Sequence, residues 1–235
     1  MNKLKKYLQE KKGKTCLMAH FVAGYPSLSS SLAVGRALVR GGASLLEIQI
    51  PFSDPSADGP VIVGACHTAL LKRVSVSSVF KLSKTLSKES NVPIAIVSYV
   101  NPIYQYGISR FIEDASLSGV SAIIIPDLPV DTPEGKLFIS YCKKFAVHPI
   151  ILVSPGVPKK RLATILKSAS GFVYCTSRQG TTGATSHFSN NLPSFVKQLR
   201  QYTTLPVAVG FGVRNQKDFK VCGSFADIVA VGSTF

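Results

Sequence analysis

The feature that most constrains the fold is a short apolar run, rich in Val and Ile, that recurs along the whole chain. Strands of a parallel sheet are buried on both faces, so they lose the alternation of polar and apolar residues and read as runs of this kind. The runs predict strands at residues 16–22, 45–50, 94–97, 122–125, 149–153, 172–176, 206–209 and 228–231.

Between these runs lie segments whose apolar residues recur with the 3.6-residue period of a helix. The clearest are residues 32–39, 111–117, 137–145, 162–169 and 195–202. Glycine reaches the left-handed conformation that ends many helices, and several segments end in one. These glycines are Gly41, Gly42, Gly119, Gly171 and Gly223. The longer interval from residue 50 to 94 leaves room for an extra helix or an active-site loop.

This order of strand and helix repeats about eight times without a linker or a change in composition. It favours a single-domain (β/α)8 barrel over residues 1–235, of the TIM type and with an N-terminal helix. An open, doubly wound sheet is the alternative. In a barrel, the active site lies at the carboxyl ends of the strands and in the loops after them.

Composition agrees with a folded domain. Hydrophobic residues make up 46% of the chain and charged residues 17%, which is unlike a disordered segment. No apolar run approaches the roughly 20 residues that span a bilayer, and the Lys-rich start is not followed by a signal-type apolar segment. The five cysteines form no Cys-x-x-Cys pair. We therefore expect a cytoplasmic protein with reduced, packed thiols.

The formal net charge of +15 raises nucleic acid and anionic membranes as partners. Apart from six lysines in residues 3–14, however, the basic residues are scattered, and no nucleic-acid-binding motif is present. We expect neither partner. A basic, solvated surface that also steers anionic substrates is the favoured interpretation.

Glu47 lies inside the second predicted strand, in a chain with only 12 acidic residues. Burying a carboxylate costs free energy unless it is paired, hydrogen-bonded or protonated. Glu47 either braces its neighbours or pairs with a lysine, or it is a general acid or base at the barrel mouth, which we favour. In the following loop, Asp58 can face the same cavity, although turn formation or helix capping is the commoner role of a loop aspartate.

Three glycine-bearing segments follow the last three predicted strands, at residues 177–183, 210–212 and 232–233. Barrels often bind phosphate with backbone N–H groups from the loops after strands 7 and 8, where glycine permits close approach. The order of these segments predicts a phosphorylated small-molecule substrate, and Ser233 can add a hydroxyl donor.

Several motifs together resemble the tryptophan synthase alpha subunit family, in order from about Gly24 to the last residues. The most specific is Glu47 followed by Pro-Phe-Ser-Asp-Pro-Ser-Ala-Asp-Gly-Pro at residues 51–60. The others are Tyr-Val-Asn-Pro at 99–102, Pro-Asp-Leu-Pro at 126–129, Ser-Arg at 177–178, Thr-Gly at 182–183, Gly-Phe-Gly at 210–212 and Gly-Ser at 232–233.

The resemblance implies a lyase, grouped with tryptophan synthase among the carbon–oxygen lyases, that converts indole-3-glycerol phosphate into indole and glyceraldehyde 3-phosphate by retro-aldol cleavage. It implies that Glu47 and Asp58 are the acid/base pair and that Tyr174 lies near them. The implied substrate- and phosphate-binding residues are His20, Tyr99, Ile124, Thr182, Gly183, Phe211, Gly212, Gly232 and Ser233.

The resemblance also implies a partner, the tryptophan synthase beta subunit, in an α2β2 heterotetramer. The beta subunit would carry pyridoxal phosphate and convert the indole to tryptophan, whereas this chain would need no cofactor and no metal. Asp54 and Pro55 are the expected interface positions, although both can simply hold a turn.

Several positions depart from the family pattern. Gln49 stands where glycine is usual, His20 where Phe or Tyr lines the indole pocket, and Tyr25 where Asp precedes the proline, and the loop at 179–185 lacks the usual Val and Arg. These departures keep open a catalytically weak subunit that mainly regulates the beta subunit. A histidine on a buried strand is also more often a packed residue than a ligand.

Other phosphate-binding barrels are the enzyme alternatives. A metal-dependent epimerase needs convergent His and Asp ligands, and the four histidines show no such spacing. The sequence stops at Phe235, where the family's last phosphate-contacting turn leads into a closing helix. We therefore expect a barrel without its last helix.

Overall fold

A computed structural model describes residues 3–176, 192–210 and 212–234. Its parallel strands form a closed barrel in chain order, with β1 paired to β8. The strands are β1 Cys16–Val22, β2 Leu45–Gln49, β3 Ile94–Val97, β4 Val120–Ile124, β5 His148–Val153, β6 Val173–Thr176, β7 Val207–Gly210 and β8 Ile228–Val231. The barrel confirms the predicted fold and excludes the open sheet.

Helices on the outside connect the strands. Within the described ranges they are α1 Lys3–Glu10, α2 Leu28–Arg40, α3 Pro60–Leu71, α4 Val76–Glu89, α5 Val100–Tyr106, α6 Ile108–Leu117, α7 Pro133–Lys144, α8 Lys159–Leu166, α9 Leu192–Leu199 and α10 Gln216–Gly223. All five predicted helical segments overlap a helix. The long interval between β2 and β3 holds both an active-site loop and two helices, α3 and α4.

Local sequence sets the helix ends. Hydroxyl and amide side chains cap several helices, as when Ser27 accepts a hydrogen bond from the N–H of Ser30 at the start of α2. Left-handed glycines follow several helices, as predicted, at Gly42, Gly119 and Gly171.

Gly223 does not act as predicted, because it is the last residue of α10 and not a left-handed residue beyond the helix. A residue without a side chain is needed at this position for a different reason. A Cβ there would lie 2.8 Å from Thr15 Oγ1, so glycine lets α10 approach the start of β1.

The barrel has two apolar layers. Outward-facing strand residues pack against the helices, while inward-facing residues such as Met18, Leu45 and Ile228 fill the interior. Leu4 of α1 is 1% exposed and belongs to this interior cluster with Phe172. The N-terminal helix therefore closes the floor of the barrel, at the amino ends of the strands.

After β8, residues 232–234 form a turn and no helix. None of the helices in the described ranges is long and apolar enough to cross a membrane. All five cysteines are free and buried, as predicted.

Candidate active site

Glu47 lies in the middle of β2 with its side chain in the barrel interior, and it is 5% exposed. The strand register places it opposite His20 of β1, and His20 Nδ1 is 3.5 Å from Glu47 Oε2. Burial lowers the pKa of His20. The carboxylate of Glu47, the charge of Asp58 and the side chain of Gln49 act in the opposite direction and prevail, so this pKa lies above its usual value. His20 thus pairs with the carboxylate that the sequence predicts to be catalytic.

Asp58 lies in the loop between β2 and α3, and its carboxylate is held from two sides. The Tyr99 hydroxyl donates to Asp58 Oδ2 at 2.8 Å, and Gln49 Nε2 donates to the same oxygen at 2.7 Å. Tyr99 also accepts a hydrogen bond of 3.0 Å from the N–H of Ala57, and its ring stacks on Phe52 at 5.4 Å. The loop is therefore fastened to the barrel on both sides of its acidic residue.

The negative charges of Glu47 and Asp58 both act on His20 and on Tyr174. Burial, followed by the charges of Glu47 and Asp58, raises the pKa of Tyr174 well above its usual value. Tyr174 therefore stays protonated at neutral pH and is a hydrogen-bond donor. The structure brings together all three predicted catalytic residues at one end of the barrel.

Gly210 provides the space for Tyr174. A Cβ at Gly210 would lie 2.3 Å from the Tyr174 hydroxyl. From the sequence, this glycine is predicted only to belong to a phosphate-binding segment. The signal for its second role is its place at the end of β7, paired with Thr176 of β6.

Tyr99 and Asp127 have roles that the sequence did not show. Tyr99 is 1% exposed, and burial together with the charge of Asp58 raises the pKa of its hydroxyl, so it remains a donor. Asp127 follows β4 and accepts the N–H of Val100 at 2.9 Å, which caps α5 from outside the helix. Burial raises the pKa of Asp127 despite this hydrogen bond. Tyr99 thus contacts the Asp58 loop directly, whereas Asp127 holds the start of α5 next to Tyr99.

Two of the predicted phosphate-binding turns lie next to each other. Gly212 has a φ of +78°, and a Cβ there would contact no atom of the described residues within 4 Å. Gly232 lies beside His20, Ser233 is exposed, and Thr234 Oγ1 donates to the carbonyl of Val213 at 3.0 Å. The hydrogen bond joins the turns after β7 and β8.

The remaining predicted positions are placed as follows. Ile124, at the end of β4, faces the interior and is 2% exposed. Asp54 is exposed and available to a partner, whereas Pro55 is buried within this chain. Thr182, Gly183 and Phe211 lie outside the described residues, as does the loop at 179–185.

Two residues that depart from the family pattern lie in different surroundings, Gln49 in the site and Tyr25 at the surface. Gln49 is fully buried and contacts Asp58, whereas Tyr25 is 48% exposed and forms a cis peptide bond with Pro26. Within the described residues, no three His, Cys, Asp or Glu side chains lie close enough together to hold a metal ion.

The chain is similar to one family along nearly its whole length. A sequence model described as "Tryptophan synthase alpha chain" matches residues 6–235. The tryptophan synthase alpha chain of Desulfotalea psychrophila is 36% identical over 232 residues, which cover 98% of this chain and 91% of that protein. That of Methanosarcina acetivorans is 39% identical over 228 residues, covering 97% and 81%.

Solved structures show similarity to the same family. Tryptophan synthase from Mycobacterium tuberculosis superimposes with a TM-score of 0.90 at 30% identity, covering 99% of this chain and 89% of that one. A tryptophan synthase alpha chain from Legionella pneumophila gives a TM-score of 0.89 at 30% identity and covers 100% and 86%.

Proposed function

The chain belongs to the tryptophan synthase alpha chain family, and from this membership we propose that it cleaves indole-3-glycerol phosphate into indole and glyceraldehyde 3-phosphate. The observation that carries the proposal is the placement of two carboxylates, Glu47 and Asp58, at one barrel mouth, where the charges of both act on Tyr174. We group the enzyme with tryptophan synthase among the carbon–oxygen lyases, although the bond broken in this step joins two carbons.

The chemistry needs two proton-transfer groups. Indole becomes a leaving group only after its ring tautomerises, which removes the N–H proton and adds a proton at C3. Deprotonation of the side-chain hydroxyl then forms the aldehyde as the bond to C3 breaks. The electron pair returns to the ring, and a proton returns to the nitrogen.

Asp58 is suited to the ring nitrogen. Both described hydrogen bonds to its carboxylate end at Oδ2, so Oδ1 is the oxygen that accepts the N–H proton. The donors Tyr99 and Gln49 fix the carboxylate plane, which holds that oxygen in place before substrate arrives.

Glu47 is suited to C3 and to the side-chain hydroxyl, since it lies deeper in the barrel, on the strand itself. Tyr174 is protonated and buried beside both carboxylates, so it can donate a hydrogen bond to the developing charge. His20 and Ile124 would line the space taken by the indole ring, from β1 and β4.

The phosphate would bind to the backbone N–H groups of Gly212, Gly232 and Ser233, with Thr182, Gly183 and Phe211 contributing as in the family resemblance. The turns after β7 and β8 are already joined by the hydrogen bond of Thr234. The net charge of +15 would attract a phosphorylated substrate.

The partner would be a tryptophan synthase beta subunit in an α2β2 complex. It would bring pyridoxal phosphate and consume the indole, while this chain would need no cofactor. Asp54 would contact the partner at the exposed edge of the loop. The five free, buried thiols support a cytoplasmic location.

The test is indole release from indole-3-glycerol phosphate, with and without a cognate beta subunit. We expect Glu47→Gln and Asp58→Asn each to lower kcat by at least about 100-fold, the scale of a positioned acid or base. Glu113→Gln, an exposed acid on α6, is the control and should keep wild-type turnover.

Near-normal turnover in both Glu47→Gln and Asp58→Asn would overturn the acid/base assignment. If the wild-type chain releases no indole but still stimulates the beta reaction, it is instead the regulatory subunit that the sequence left open.

A further inference from the structure

Two buried polar atoms at the active site have no hydrogen-bond partner among the described residues. They are His20 Nε2 and Gln49 Oε1. Buried polar atoms are almost always hydrogen-bonded in folded proteins, so a pair of exceptions in one site requires a reason. Both belong to residues that depart from the family pattern.

The orientation of the Gln49 amide is fixed by its neighbour. An ionised carboxylate can only accept hydrogen bonds, so the amide must present Nε2 to Asp58 Oδ2, at 2.7 Å. Turning the amide would put Oε1 against that negative oxygen. The acceptor Oε1 is therefore held on the other side of the amide group.

The orientation of the His20 ring is fixed in a similar way. Nδ1 lies 3.5 Å from Glu47 Oε2, while the Cδ2 edge faces β8, where a Cβ at Gly232 would lie 3.4 Å from it. The ring thus sits between β2 and β8.

The strand register brings the two residues together. His20 is opposite Glu47, and Val22 is opposite Gln49. Residues two apart on a strand face the same side, so Glu47 and Gln49 both face the interior, next to the His20 ring. A donor and an acceptor, each without a partner, therefore lie at neighbouring inward positions of β1 and β2.

We propose that His20 and Gln49 are positioning residues of the lyase, which join its two carboxylates in one polar chain with the order Glu47, His20, Gln49, Asp58. A water molecule that accepts from His20 Nε2–H and donates to Gln49 Oε1 forms its middle link, since the two atoms do not bond each other directly in the described structure. The inference rests on the acid/base roles proposed above. Within this polar chain, Gln49 directs Oδ1 of Asp58 at the substrate, and His20 fixes the side chain of Glu47.

The polar chain defines the charge of its members. If both ring nitrogens of His20 donate, the ring is an imidazolium, which offsets one of the two carboxylate charges. The same cation explains why two anions share a buried mouth without a lysine or arginine in the described hydrogen bonds and ion pairs to Glu47 or Asp58.

The test is a double-mutant cycle on the full chain with saturating beta subunit. His20→Phe and Gln49→Gly should each lower kcat for indole-3-glycerol phosphate by about tenfold or more, because a misplaced catalytic group loses rate more than affinity. KM should change less than about threefold, since the phosphate turns are untouched. The double variant should lose no more than the worse single variant.

Gln49→Glu provides a second arm. It keeps the size of the side chain but replaces the donor to Asp58 with a repelling carboxylate, so its kcat should fall below that of Gln49→Gly. His148→Phe is the matched control: His148 is a half-buried histidine at the start of β5 whose buried Nε2 has no partner among the described residues, and its Nδ1 pairs with Ser170 at 2.9 Å. It should keep wild-type turnover if its thermal midpoint is unchanged.

Independent, multiplicative losses from His20→Phe and Gln49→Gly would overturn the polar chain, as would a kcat in Gln49→Glu equal to that in Gln49→Gly. Failure of the underlying function looks different, because Glu47→Gln and Asp58→Asn would then keep their activity. A stable substrate analogue that lacks the side-chain hydroxyls should bind each folded variant with about wild-type affinity, because phenylalanine at position 20 still lines the indole space with a ring. A loss of analogue binding that parallels kcat would instead assign both residues to binding and overturn the proposal.

Discussion

Gly210 and Tyr174 form a contact in which the absence of one side chain permits the position of another. The Tyr174 hydroxyl would lie 2.3 Å from a Cβ at residue 210, and two ring carbons would lie at 3.0 Å. Tyr174 can therefore stand beside Glu47 only because β7 ends in glycine. The contact links strand sequence directly to the geometry of the site.

Gly210→Ala should force Tyr174 out of place. We expect the free energy of unfolding to fall by about 1–3 kcal/mol, the usual cost of overpacking a filled core, and lyase turnover to fall with it. Urea denaturation monitored by circular dichroism measures the first effect. Adding Tyr174→Phe removes the closest atom and should restore part of the lost stability.

Gly64→Ala is the matched control, because a Cβ there meets no atom within 4 Å and the residue is exposed on α3. It should be neutral or slightly stabilising, since alanine favours helix over glycine. An unchanged urea midpoint in Gly210→Ala would contradict the steric argument.

Single positions also show how far the sequence could predict the site. Glu47 could be found because a carboxylate in an apolar strand is costly without a function. The partners of Asp58 could not, because the hydrogen bonds from Gln49 and Tyr99 depend on how the loop folds back over β2 and β3. No spacing in the sequence encodes that return.

At the scale of elements, the loop of residues 51–59 and the start of α5 form one unit. Tyr99 ends the segment before α5, and Asp127 caps that helix through the N–H of Val100. The hydrogen bonds of the Tyr99 hydroxyl to Asp58 and Ala57 therefore tie the loop to the start of α5. Besides Gln49 of β2, the catalytic loop is therefore held by Tyr99, which follows β3 and is supported in turn through α5 by Asp127, which follows β4.

Tyr99→Phe tests this unit. It removes a hydrogen bond to a charged group, which contributes about 1.5–3 kcal/mol. We expect kcat for indole release to fall about tenfold or more with little change in KM. Tyr106→Phe is the control, since the Tyr106 hydroxyl donates to Asp114 on α6, at 2.6 Å and outside the site. Equal kcat values for the two variants would show that Tyr99 does not orient Asp58.

Elements differ in how well the sequence predicts them. Each strand begins and ends within two residues of its predicted bounds, because strands buried on both faces are apolar throughout. Helix α3 was harder to predict from the sequence. Its residues are apolar on all faces and form no helical stripe, as the sequence shows: Pro-Val-Ile-Val-Gly-Ala-Cys-His-Thr-Ala-Leu-Leu. The role predicted for Gly223 was wrong because packing against Thr15, which is distant in sequence, decides it.

For the whole molecule, the central question is what closes the barrel mouth. Asp54 is exposed while Pro55 and Gly59 are buried, so the loop presents an acidic edge outward and stays anchored within. A partner bound there would favour the closed arrangement of the catalytic loops, and substrate would strengthen partner binding by the same factor.

Titration with a cognate beta subunit should therefore raise the lyase rate, by about 5- to 150-fold for a coupling of 1–3 kcal/mol. A substrate analogue should tighten the complex to a similar degree, as measured by calorimetry. Asp54→Ala should weaken the complex, whereas Asp131→Ala, another exposed acid in a loop, should not. An unchanged rate at saturating beta subunit, or an affinity indifferent to the analogue, would make this chain a free-standing enzyme.

The helix that closes the barrel floor has a consequence for the order of events. With Leu4 and Phe172 packed at the amino ends of the strands, apolar side chains fill the floor of the described barrel. A reactant that binds above Glu47 would therefore enter from the opposite end, at the carboxyl ends of the strands. A partner that covers this end before substrate enters would lock the reactant out, and one that covers it afterwards would keep the product from bulk water. The packed floor thus predicts an order of events: the substrate binds, the partner then covers the mouth, and the product is then transferred to the partner.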